Sequence, residues 1–159
     1  MAETEDLGEL IQSLLRDLEI SHDTFATEDR IDVDSEFDAL LRATKSGRTI
    51  YFDASIMAAS LGRWDKALEW CEEFLARDLT SPGVHVWKMR CLVELERFSE
   101  SLALASMQEW PREYLVHVKY LSGICYFKLK MMERAQGEFA WVERQDSGYR
   151  DVARMLARV

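Results

Sequence analysis

Apolar residues fall at helical spacing along most of the chain. Leu7, Leu10, Ile11, Leu14, Leu15 and Leu18 follow the i, i+3, i+4, i+7, i+8, i+11 series, which predicts an amphipathic helix within residues 1–20. Residues 21–35 lose any period and are rich in Asp, Glu, Ser and Thr, which predicts an acidic linker with Phe25 as its one candidate for packing. Phe37, Leu40 and Leu41 mark a short helix over 36–47, with Gly47 able to supply a left-handed cap. From there the pattern becomes periodic. Leu61, Gly62, Trp64 and Ala67 are a leucine, a turn residue, a large apolar residue and a small residue three further on. The same sequence of types returns 34 residues later around Leu95, Glu96, Phe98 and Ser101, and after another 34 around Leu129, Lys130, Met132 and Ala135. A fixed period of this length predicts an array of helix–turn–helix units, each burying its apolar face against the next.

The units can be placed. The first pairs a helix near 49–61, presenting Tyr51, Ala54, Ile56, Met57 and Ala58, with one near 65–78 presenting Ala67, Leu68, Cys71, Phe74 and Leu75. Ser81-Pro82 opens the second unit with an N-cap residue and a proline tolerated in the first turn, and Pro111 opens the third in the same way. The third pairs helices near 112–129 and 132–144. Asp146-Ser147 then offers a cap for a last helix, 147–159, whose stripe is Val152, Met155, Leu156 and Val159. The chain is thus expected to be all-α: an N-terminal helix (1–20), the linker (21–35) and a repeat domain (36–159). Within that domain the repeats fall at about 48–81, 82–115 and 116–146.

Charge sharpens the division. Residues 1–39 carry 13 acidic groups against Arg16 and Arg30, a net of −11, whereas the remaining 120 residues carry 18 basic and 16 acidic groups, a net of +2. A nearly neutral body behind an acidic arm argues against nucleic acid as a partner, since phosphate contacts need a basic face. The acidic start is unlike a signal or transit peptide, and no apolar run approaches the roughly 20 residues that cross a bilayer. A cytoplasmic location without a membrane span is the expectation. Cys71, Cys91 and Cys125 match no zinc or redox spacing and are expected to be reduced and buried.

With these residues in place, the body resembles the tetratricopeptide repeat (TPR) family over about residues 48–146. The matching residues are Tyr51, Gly62, Trp64, Ala67 and Leu75 in the first repeat. Leu92, Phe98, Ser101 and Ala105 match in the second, and Gly123, Tyr126, Ala135 and Phe139 in the third. Lys88 and Met89 depart from the pattern, which favours leucine followed by a small residue there. The stretch from Gly148 through Tyr149, Arg150 and Asp151 to Val152 is similar to the way many bacterial TPR proteins end. The resemblance implies a right-handed α-solenoid whose small residues Ala67, Ser101 and Ala135 allow close helix approach, with Trp64, Phe98 and Met132 filling the wedge beside each turn. It also implies a concave face, built by the first helix of each repeat, that receives peptides. In this register that face is Phe52, Ile56 and Ala59; Val86, Arg90 and Val93; and Tyr120, Ile124 and Phe127. Only Arg90 among them carries charge, so the basic clamp by which chaperone-binding members hold a C-terminal carboxylate is not expected.

An apolar face of this extent predicts a non-enzymatic adaptor taking an apolar helix or extended segment of a protein partner. The competing reading makes the nine residues ordinary inter-repeat core. The stripe from Leu7 to Leu18 is a third candidate occupant, as an internal plug, a docking element or a route to a homodimer. A linker of this length reaches roughly 20–24 Å. Two further functions stay open: a cytosolic secretion chaperone similar to class II type III chaperones, and a structural subunit that self-associates through the N-terminal helix. No cofactor or metal is implied. His22, His85 and His117 are scattered, and His85 with Asp53 or His117 with Glu113 read as solvated surface groups. Glu72 and Glu73 point to different sides of a helix, and no phosphate loop, His-Glu-x-x-His or EF-hand pattern occurs.

Overall fold

The computed structural model describes residues 49–77 and 81–159. The N-terminal stripe Leu7–Leu18, the linker 21–35 and the short helix 36–47 lie outside the described residues. Those described are all-helical: α1 (Thr49–Ser60), α2 (Trp64–Arg77), α3 (Pro82–Glu94), α4 (Phe98–Ser106), α5 (Arg112–Lys128), α6 (Met132–Gln145) and α7 (Val152–Arg158). None is long and apolar enough to cross a membrane. They fall into two compact units. One holds α1 and α2, and the other holds α3 to α7.

The three short turns are copies of one another. After α1, Gly62 N–H bonds to the Ala59 carbonyl at 3.0 Å and Arg63 N–H to the Ala58 carbonyl at 2.8 Å. After α3, Glu96 bonds to Val93 at 3.0 Å and Arg97 to Leu92 at 2.8 Å. After α5, Lys130 bonds to Phe127 at 3.1 Å and Met131 to Tyr126 at 2.8 Å. This is the Schellman arrangement, which satisfies the last carbonyls of a helix and needs a left-handed residue at the first position past the cap. Gly62, Glu96 and Lys130 supply it with φ of 73°, 59° and 64°. Only the first is glycine, so the other two turns carry the Cβ penalty of that conformation. Lys130→Gly should therefore stabilise the protein by about 0.5–1 kcal/mol, after subtracting the extra chain entropy of glycine. A fall in the urea midpoint would contradict this.

Inside the first two hairpins the helices meet at residues 12 apart, and each of the three hairpins is packed differently. In the first, the Ser55 hydroxyl donates to the Ala67 carbonyl at 2.5 Å. In the second the hydroxyl donor has changed helix: Met89 is fully buried on α3, and Ser101 on α4 donates back to the Met89 carbonyl at 3.2 Å. This accounts for the departure at Met89, because the hairpin needs one small partner and Ser101 is it. In the third, Gly123 on α5 leaves room for the ring of Phe139 on α6, and Ala135 is fully buried. Ala67, Leu68, Cys71, Phe74 and Leu75 of α2 are all buried, with Phe52 and Phe74 edge to face at 6.1 Å. Trp64, Phe98 and Met132 are half-buried beside their turns. In the larger unit α5 packs against α3, α4 and α6, and α7 packs on α6.

Pro111 is the N-cap of α5, which begins at Arg112 as expected, whereas one other start differs. The last helix begins at Val152 and not after Ser147: Asp146 is the C-cap of α6, and 146–151 form turns with Arg150 at φ 46°. The physical reason is Tyr149, 1 % exposed, whose burial against α5 holds this stretch out of helix.

Candidate partner-binding site

The nine residues expected on one face lie on α1, α3 and α5. In the α1–α2 unit, Phe52 and Ala59 are buried and Ile56 is half-buried. In the larger unit Val86, Arg90, Val93, Tyr120 and Ile124 are buried and Phe127 is half-buried. Phe52 has an intra-hairpin role, since its ring packs on Phe74 of α2. Ile56 and Phe127 are therefore the two most accessible of the nine.

Arg90 is 1 % exposed, and its Nε and one terminal nitrogen both lie 3.1 Å from Glu94 Oε1, one helical turn on. Burial pulls the guanidinium below the ordinary arginine range, Glu94 pushes it back up, and the positive charge of Arg150 adds to the drop. Arg150 lies 5.8 Å from the centroid of the Tyr120 ring and 5.9 Å from that of Tyr149. Tyr120 and Tyr149 meet edge to face at 5.2 Å, and Tyr120 also packs on Phe139 at 5.8 Å. Arg158 of α7 lies 5.0 Å from the centre of the Phe127 ring. The C-terminal turns and α7 thus reach two of the predicted residues, Tyr120 and Phe127.

Three groups in this cluster went unnoticed in the sequence or were placed wrongly. His117 is not a solvated surface group: it is 2 % exposed, and its Nδ1 shares a hydrogen bond of 2.6 Å with the Tyr149 hydroxyl. Glu113, by contrast, is exposed. The Tyr120 hydroxyl donates to Asp151 Oδ1, while Arg154 donates to Asp151 Oδ2 at 3.0 Å. The signal for these contacts was the stretch from Gly148 to Val152, but the partners lie over 30 residues away. No local period reports them.

The electrostatics follow. Burial, then donation to Asp151, raises the Tyr120 phenol far above the tyrosine range, so it stays a neutral donor. Burial alone would raise Asp151, but the hydrogen bonds from Tyr120 and Arg154 outweigh it and hold the carboxyl low. A depressed carboxylate stabilises the fold above its unfolded value of about 3.9 and loses that contribution as pH falls through the folded value. The raised phenol has the opposite sense: its contribution is complete below about pH 10 and is lost as pH rises beyond it. The Tyr120→Phe variant should therefore develop as much phenolate absorbance as the wild type through about pH 10. A deficit of one phenolate would overturn the assignment.

Burial pushes the Cys125 thiol up to about 11, so it is a protonated core group at neutral pH; Cys71 and Cys91 are also buried. Among the described residues no group of three or more His, Cys, Asp or Glu is placed to hold a metal ion. Comparison with protein-family models, with curated proteins and with solved structures gave no match.

Proposed function

We propose that this chain is a TPR-type α-solenoid serving as a non-enzymatic adaptor, and that it takes an apolar helix or extended segment of a protein partner. The observation that carries the reading is the threefold identity of the turns. The same pair of cap bonds and a left-handed residue at the same position recur at one 34-residue spacing, the period of a TPR unit. Val86, Val93, Tyr120, Ile124 and Phe127 then belong to the face of first helices, with Arg90 as its charged member. Phe127, half-buried on α5, is the position a partner meets first.

Replacing Phe127 with a photo-reactive phenylalanine in the full chain, in the cells that make it, tests this. Irradiation should yield one discrete heterologous adduct, joined through a segment with apolar residues at helical spacing, and Phe127→Glu should abolish co-purification of that partner without loss of helicity. Adducts confined to α6 and α7 would make the residue ordinary core. Adducts to residues 7–18 would identify the plug or self-association instead, and an aggregation-prone secreted protein in the adduct would favour the chaperone reading.

A further inference from the structure

A separate cleft of about 250 Å³ opens between α4, α5 and α6. None of the nine residues discussed above lines it. Leu115, Trp110 and Tyr126 give it apolar and aromatic walls, and Lys119 and Glu138 stand at its polar end. The indole N–H of Trp110 is already donated to the Ala105 carbonyl at 2.8 Å, so this side chain is pinned and offers the cleft apolar surface. A cavity of about 150 Å³ holds benzene. This one has room for an aromatic ring with a substituent.

The polar end selects the substituent. Glu138 Oε2 is buried and, among the described residues, accepts no hydrogen bond from any side chain or backbone group. Lys119 Nζ stands 3.5 Å from it, beyond the roughly 2.7–3.2 Å of a direct N–H···O bond. The two charges cancel. An anionic guest would meet Glu138, and a cationic guest would meet Lys119. A neutral hydroxyl suits both, donating its O–H to Glu138 Oε2 while its oxygen accepts from Lys119 Nζ. We propose that the cleft between α4, α5 and α6 binds a neutral phenol, with the ring between Trp110, Leu115 and Tyr126 and the hydroxyl between Glu138 and Lys119.

Two sources share this chemistry, a free small phenol and the tyrosine side chain of another protein. Both are read by titrating the full chain with p-cresol, toluene, benzoate, benzylamine and N-acetyltyrosinamide, following the Trp110 indole N–H by NMR. p-Cresol should saturate the site and bind about tenfold tighter than toluene, the order expected of a hydrogen bond to a charged group. Benzoate and benzylamine should bind more weakly than p-cresol. Glu138→Leu should bring p-cresol down to the toluene level, and Glu138→Gln, which keeps the shape and one acceptor, should retain part of the preference. N-acetyltyrosinamide binding at least as well as p-cresol would identify a protein tyrosine as the guest, and its exclusion with p-cresol retained would identify a free phenol. The proposal is overturned if p-cresol binds no better than toluene, if Glu138→Leu leaves its affinity unchanged while the fold is intact, or if no compound saturates.

Discussion

Glu94→Ala should destabilise the protein by about 3–5 kcal/mol, the range for breaking a buried ion pair from one side. The cost arises on the partner. Arg90 is 1 % exposed and its guanidinium points two nitrogens at Glu94 Oε1, so removing the carboxylate takes a hydrogen-bonded counter-charge from a buried guanidinium with Arg150 still nearby. Urea unfolding followed by helicity would measure it, and a loss below about 1 kcal/mol would show that solvent reaches Arg90. The double variant Arg90→Met with Glu94→Met should lie within about 1 kcal/mol of wild type or above it, because replacing both members removes two desolvation penalties along with the attraction. It also separates roles. If Arg90 reads a partner, the double variant keeps its fold and loses binding.

Gly123→Ala should cost about 1–3 kcal/mol despite the better helix propensity of alanine. A Cβ at this position would lie 2.6, 2.8 and 2.9 Å from three carbons of the Phe139 ring. Phe139 is itself fully buried and packed on Tyr120, so it has nowhere to move. Gly137 on the same hairpin is the control: it is exposed, nothing lies within 4 Å of its virtual Cβ, and Gly137→Ala should stabilise by about 1 kcal/mol from propensity alone. Equal effects at the two glycines would refute the packing argument. Strain at Gly123 should also reach Tyr120 through Phe139, so the variant should weaken the binding proposed for that face.

Much of the helical layout was legible in the chain. The predicted helices near 49–61, 65–78, 112–129 and 132–144 compare with α1, α2, α5 and α6 within a residue or so at each end. Turn chemistry is local, and a Schellman cap is set by residues within one turn of each other, so a short phrase of leucine, turn residue, large apolar residue and small residue, repeated every 34 residues, carries it directly. The buried stripe of α2 could be read for the same reason: an amphipathic helix declares its inner face by spacing. The first helices of the hairpins resisted. α3 and α5 bury residues on most of their circumference, so their apolar pattern has little direction and does not say which residues meet a neighbour and which meet a partner.

What folding alone decided is the company each polar group keeps. Arg90 looked like a lone cation on an apolar face, and it is half of a buried pair. His117 looked solvated, and Tyr149 and Asp151 looked like part of the last helix. In the structure they tie α5 to the C-terminal turns and delay α7 to Val152. Those contacts join positions 31 and 32 residues apart, a separation that carries no period. The sequence alone therefore settled the all-helical class, most of the helices with their turns, and the helix faces with a strong stripe, because backbone capping and amphipathicity act over a few residues. The burial of the Arg90–Glu94 pair, the contacts of Tyr149 and Asp151 with α5 and the cleft at Glu138 depended on tertiary structure, because desolvation acts only once distant segments have closed around a group.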